Sequence, residues 1–277
     1  MKMIVMGFDG CAMKLLNKWK DKLPSFSYLM EHNKLGTLQS TIPPHTAPGW
    51  TSAFTGVSSG KHGIYQFWDT QAPEYMGKFM GSGDLKQLPV WEILNTLGHK
   101  TGVLNVPMTY PPKEIDGFML TWPLHNTLRY AYPDDLVMDI AKHGGHYISD
   151  LNTMFQGDFN DYIEKTYTIT KKRLITLKYL MERHQYDFYV SVFTEMDRVS
   201  HFYWNFMDEE SLYYNDKVAD ELKDAVENIY KEADATLGEI MKYMDKESML
   251  LVVSDHGFSK GNLNFYVQSY LRSEERR

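Results

Sequence analysis

Short apolar runs alternate along this chain with longer stretches of helical spacing, and that alternation restricts the fold more than any other feature. Lys2–Phe8, Lys100–Val106 (KTGVLNV), Asp187–Thr194 (DFYVSVFT) and Met249–Val253 have the length and the β-branched or aromatic content of buried strands. Gly36–Thr41 reads as a further strand. Between them lie helical patterns: about Pro24 to Asn33, a helix beginning near Pro48, Val90–Thr96 closed by Gly98, residues 161–183, Asp216–Met244, and a last helix over Phe265–Leu271. The Asp216–Met244 stretch carries Val218, Leu222, Val226, Ile229, Ala233, Leu237 and Ile240 on one face. Strands alternating with helices predict an α/β fold, a doubly wound and mostly parallel sheet with helices on both faces. The 277 residues suffice for one such domain with a sizeable core. Residues 107–160 have weaker periodicity and much Pro, Tyr, His and Asp, and read as a cap or insertion within residues 1–277.

Charge narrows the partners. The chain holds 29 basic and 36 acidic residues, a formal charge of −7, with no basic stripe. Nucleic acid is not expected as a partner. A small anionic ligand is compatible with this balance if a metal ion sets the local sign. No apolar run reaches the length of a membrane span, and the amino terminus reads as a strand rather than a signal peptide. The single cysteine, Cys11, rules out an intramolecular disulfide and fits a reducing compartment. The expectation is a soluble, cytoplasmic protein without a membrane partner; composition and pattern leave the oligomeric state open.

Three of the apolar runs end in the same way. Asp9 follows IVMGF, Asp197 follows YVSVFTEM, and Asp255 with His256 follows LLVVS. In open α/β sheets ligands bind outside the carboxyl ends of strands. Asp197 and His201 are four residues apart, so a helix would place them on one face. Carboxylates mixed with imidazoles suit Zn²⁺ or Mn²⁺ better than Ca²⁺ or Mg²⁺. One such acid alone would be a turn or capping residue; three at strand ends point to a metal site. The segment STIPPHTAPGWTSAFTG adds hydroxyls, among which Thr46 stands at an apparent loop-to-helix junction. There it would meet metal ions on one side and helix N-terminal amides on the other, or simply cap the helix.

With these residues placed, the chain resembles the type I phosphodiesterase/nucleotide pyrophosphatase family of the alkaline phosphatase superfamily. The resemblance rests on GFDG, STIPPHTAPGWTSAFTGVSSGKHGI, TEMDRVSH and VVSDHGF in that order. It implies two divalent metal ions, zinc or alternatively manganese. Asp9, Asp255 and His256 would bind one ion and Asp197 and His201 the other. It implies Thr46 as a nucleophile touching the first ion, a phospho-threonine intermediate, and a small phosphate ester as substrate. Gly56, His62 and Gly63 match the family's structural signature, with His62 expected to be structural.

The sequence departs from the family in two places. The family completes its second metal site with a downstream histidine, and none follows His256. The chain is then a fragment truncated at its C-terminus, or another histidine such as His125 or His45 takes the place, or the site binds one ion or none. The last case leaves open a catalytically lapsed binding protein; a phosphomutase of the same superfamily is the other alternative. Nucleotide-processing relatives also carry an asparagine soon after the HGI motif, where Gln66 and Phe67 stand here.

Overall fold

A computed structural model of the chain describes residues 2–69, 77–123, 127–145, 147–149, 157–261 and 266–274. Its elements in the first half are β1 (Met3–Phe8), α1 (Met13–Lys18), α2 (Pro24–His32), α3 (Thr46–Thr55), α4 (Ser59–His62), β2 (Trp68–Asp69), β3 (Lys78–Phe79), α5 (Val90–Thr96), β4 (Thr101–Leu104) and β5 (Gly117–Leu120). The second half supplies β6 (Ala131–Tyr132), α6 (Leu136–Asp139), α7 (Phe159–Arg183), β7 (Phe188–Phe193), α8 (Glu195–Met207), α9 (Asp220–Lys223), α10 (Ala225–Met241), β8 (Met249–Val253) and α11 (Val267–Glu274).

Six strands form the central sheet in the order β6-β5-β4-β7-β1-β8. All neighbouring pairs are parallel except β5 and β6. β1 lies between β7 and β8, with Val5 beside both Val190 and Leu251. The pleat sends alternate residues to opposite faces. Ile4, Met6 and Phe8 enter the larger core with Tyr189, Phe193 and residues of α7, α8 and α10. Val5, Val190 and Val192 enter a second core with Trp50 of α3 and Trp91 of α5. The sheet is thus covered on both faces, a doubly wound, mostly parallel α/β architecture, as the alternation predicts. The face of Leu222, Val226, Ile229, Ala233, Leu237 and Ile240 is buried. On the same helix buried Asp234 accepts the Ser25 and Phe26 amides and so caps α2, whose own Leu23 provides no cap.

Three expectations change. Gly36–Thr41 is not a strand: no ladder forms there, and Leu35 and Leu38 beside and within it are exposed. Its apolar spacing lacks a neighbouring strand, and spacing alone does not make a ladder. The long helix begins at Asp220 rather than Asp216 and breaks once at Asp224. Residues 107–160 contribute β5 and β6 to the sheet. Gly117–Leu120 is too short and too continuously apolar for periodicity to expose it. No helix among the described residues is long and apolar enough to cross a membrane.

Candidate metal centre and nucleophile

Sheet order brings the site together. β7, β1 and β8 are neighbours, so the residues just past their carboxyl ends meet one another. Asp9 continues β1, its amide donating to the Phe193 carbonyl at 2.9 Å. Asp197 stands in the first turn of α8, directly after β7, and Asp255 and His256 lie two and three residues past β8. Two glycines permit the approach. Gly10 has φ +68°, and a Cβ there would lie 2.9 Å from the Asp197 Cβ. A Cβ on Gly49 of α3 would lie 2.9 Å from the Asp255 Cβ.

Thr46 is the first residue of α3, with His45 as its N-cap. The Thr46 hydroxyl lies 3.4 Å from Asp9 Oδ1 and 3.4 Å from His256 Nε2. His256 Nε2 is in turn 3.4 Å from Asp9 Oδ1 and 3.4 Å from Asp255 Oδ2. These spacings are long for hydrogen bonds. They match another geometry: donors on a tetrahedron about 2.0–2.1 Å from its centre stand about 3.3–3.4 Å apart. Thr46 Oγ1, Asp9 Oδ1 and His256 Nε2, mutually 3.4 Å apart, have the spacing of three donors around one divalent ion, and Asp255 Oδ2 stands at the same distance from His256. Asp197 Oδ1 and His201 Nε2 repeat the spacing at 3.4 Å. Ligand atoms of Asp9, Asp197 and His256 all lie within 4.8 Å of one another, so the two groups adjoin.

A second observation supports the fit. Among the described residues, Asp197 Oδ1 and Asp255 Oδ2 are buried without a hydrogen-bond partner, each facing only an imidazole nitrogen at 3.4 Å. Protein folding rarely leaves a carboxylate oxygen so, because the loss of solvation is uncompensated. The other Asp9 oxygen is held: Trp50 Nε1, one turn after Thr46, donates to Oδ2 at 2.8 Å. Trp50 is a site residue that motif reading passes over, although its i+4 spacing from Thr46 on α3 is a usable signal. The first group is dry, with side-chain exposure of 1% for Asp9 and 13% for His256, whereas His201 is 60% exposed. An open second position is what a reacting water or substrate needs.

Burial, with Asp255 and Asp197 nearby, pushes the Asp9 carboxyl far above the usual carboxylate range. Burial pushes Asp255 up to about 8. Beside Asp197, the His201 imidazole is raised. A raised carboxyl means that the folded metal-free protein holds protons the unfolded chain has released. Stability of the metal-free protein should therefore fall as pH rises from about 4 to about 8. Thermal denaturation in chelator across that range checks the slope, which saturating metal should remove.

Beyond Thr46 itself, the first amides of α3 are engaged within the chain or absent. The Ala47 amide donates to His45 Nδ1 at 3.3 Å, Pro48 has none, and the Gly49 amide donates to the His45 carbonyl at 2.9 Å. His62 is fully buried, 2.9 Å from Ser52 Oγ through Nε2 and accepting the Ile64 amide at Nδ1. Those contacts tie α3 to α4 and make the residue structural. His62→Ala should destabilise by about 2–4 kcal/mol in denaturant melts, with kcat little changed. His125 lies outside the described residues. Beside Ala47, the cluster of Ile64, Met108, Phe67 and Met80 leads to a cavity of about 340 Å³ lined by Met80, Met108, Tyr110 and Trp122 among others.

The sequence matches the family described as Type I phosphodiesterase / nucleotide pyrophosphatase over residues 3–277. The chain belongs to that family, within the alkaline phosphatase superfamily. Among solved structures it is similar to the phosphonoacetate hydrolase of Sinorhizobium meliloti 1021 in complex with phosphonoformate, at TM-score 0.62 and 16% identity over 98% of this chain and 61% of that one. The same hydrolase in complex with phosphonoacetate gives TM-score 0.62 and 16% identity over 99% and 62%. The chain thus spans under two thirds of that protein's length, and the likeness is one of fold. No match is found among curated protein sequences.

Proposed function

We propose that this protein is a metal-dependent phosphoesterase that acts on a small phosphate ester through a phospho-threonine on Thr46, with ions of the zinc type at two adjoining positions. One observation carries the reading: the 3.4 Å spacing shared by Thr46 Oγ1, Asp9 Oδ1 and His256 Nε2, extended from His256 to Asp255 Oδ2. Asp9, Asp255, His256 and Thr46 would hold one ion; Asp197 and His201 would contribute to the other. Bound there, divalent ions supply positive charge that favours the alkoxide of a nearby hydroxyl and neutralises phosphoryl oxygens.

The chain's own residues do the rest. Helix α3 fixes Thr46 at its first turn, with Oγ1 3.4 Å from Asp9 Oδ1. Oγ1 gives up its proton to water and attacks phosphorus; an O–P bond forms, the bond to the departing oxygen breaks, and that oxygen leaves as the alcohol with a proton from water. Water then releases the phosphoryl group from Thr46. Buried Trp50 excludes solvent behind Asp9 and keeps its second oxygen engaged. The cavity lined by Met80, Met108, Tyr110 and Trp122, which shares Met80 and Met108 with the cluster around Ala47, suits an apolar or aromatic organic portion of the ester. A cytoplasmic setting accords with the single cysteine.

The test is turnover of bis-p-nitrophenyl phosphate and of p-nitrophenyl phosphate by zinc-loaded protein, with and without chelator. Metal-dependent release of nitrophenolate supports the proposal. Absence of turnover of both by protein with full metal content would overturn it.

A further inference from the structure

The core holds a charge that the phosphoryl chemistry does not use. Arg173, in the middle of α7, is fully buried, and so is Glu195, the first residue of α8. Arg173 Nη1 donates to Glu195 Oε1 at 2.5 Å, with side-chain exposures of 0% and 3%. The guanidinium carbon also stands 5.6 Å from the ring centre of Phe193, the last residue of β7. One arginine therefore touches both sides of the β7–α8 junction.

Such a pair is a poor stabiliser. Two charges leave water, and apolar side chains of similar volume would hold α7 to α8 as firmly. What an apolar contact lacks is direction. A planar guanidinium bonded to a carboxylate fixes an angle as well as a distance. The junction needs that, because Thr194, the N-cap of α8, supplies no side-chain cap. Glu195 and Asp197 stand about 200° apart around the helix, so anchoring Glu195 in the core turns Asp197 away from it, toward the rim. There Asp197 backs onto Gly10, where a Cβ would lie 2.9 Å from its own, and stands 3.4 Å from His201. A rotation of α8 would move both donors together. Resting on the phosphoesterase reading and its two metal positions, we infer that Arg173 and Glu195 are positioning residues: their buried ion pair sets the rotation of α8 and so holds Asp197 and His201 where the second ion binds. Both act through α8 and not on the ion or the ester.

The experiment compares wild type, the double change Arg173→Met with Glu195→Met, and Arg173→Lys, which keeps the charge and loses the fork. Zinc is titrated into metal-free protein by calorimetry, and His201→Ala identifies which affinity belongs to the second position. Thermal melting in chelator and diester kinetics accompany the titration. The double Met variant should melt close to wild type and keep the first affinity, while the second weakens about 10- to 100-fold. Its kcat at limiting zinc should fall by a similar factor and recover in excess zinc, with KM little changed. Arg173→Lys should weaken the same position by about 10-fold. Wild-type affinity at the second position in a folded double Met variant would overturn the inference and leave the phosphoesterase reading standing. If that variant does not fold, Arg173→Lys decides: selective loss at the second position supports the inference, and wild-type affinity overturns it. Equal weakening at both positions would make the pair a general support of the fold and would also overturn it. A wild-type protein that binds no zinc would overturn both the inference and the phosphoesterase reading.

Discussion

Thr46→Ala should abolish phosphodiester turnover, lowering kcat by about 10⁴-fold or more, because no other described hydroxyl shares the Asp9 and His256 contacts of its Oγ1. The fold should survive the change. Thr46 is part-exposed at the start of α3, and the cap is supplied by His45 rather than by Thr46. Asp9, Asp255 and His256 remain as three donors, so zinc binding should weaken without vanishing. Thr46→Ser, which keeps an oxygen in place, should retain most of the rate. Steady-state kinetics with matched zinc analysis separates these outcomes. Full activity in Thr46→Ala would show that Thr46 is not the nucleophile; a loss accompanied by unfolding would be resolved by the serine variant.

Asp9→Asn should move two quantities in opposite directions. In the metal-free protein Asp9 is a fully buried carboxyl facing Asp255 and Asp197, raised by that burial and those neighbours. A neutral amide of the same shape relieves the repulsion and still accepts from Trp50 at the oxygen now held at 2.8 Å. Its Tm in chelator should therefore exceed wild type above neutral pH. Metal should show the reverse. An ion that binds only the native state stabilises by about 2.7 kcal/mol when present at 100 times its Kd. For a domain of this size that is a Tm increase of roughly 5–10 °C. Asp9→Asn should lose that increase and more than about 100-fold in zinc affinity, beyond what loss of an outer contact causes. Equal zinc-induced shifts in the two proteins would show that Asp9 is not a ligand.

Much of this site was legible because its chemistry is local to strand ends. An acid directly after an apolar run needs no long-range knowledge to be noticed, and three such runs predict one rim of one sheet. Met249–Val253 and Val90–Thr96 are bounded in the structure as their residues predict. Legibility failed where the decisive partner lies far away in sequence. Trp50 looks like any apolar helix residue until β1 brings Asp9 to its indole. Gly36–Thr41 has strand-like spacing but no ladder, and Gly117–Leu120 is a strand without alternation. That His45 caps α3 by accepting the Ala47 amide, two residues on, is disclosed only by the bend of the backbone at the start of α3.

Everything proposed for this protein depends on one arrangement, in which side chains past the ends of β1 and β8 would hold a divalent ion against the Thr46 oxygen. Crystals of the zinc-loaded protein, measured above and below the zinc absorption edge, test it directly. An anomalous peak is expected within about 2.0–2.2 Å of Asp9, Asp255 and His256 donors and adjoining Thr46 Oγ1, with a second near Asp197 and His201. Zinc bound elsewhere on the molecule, with that rim empty of anomalous signal, would contradict it.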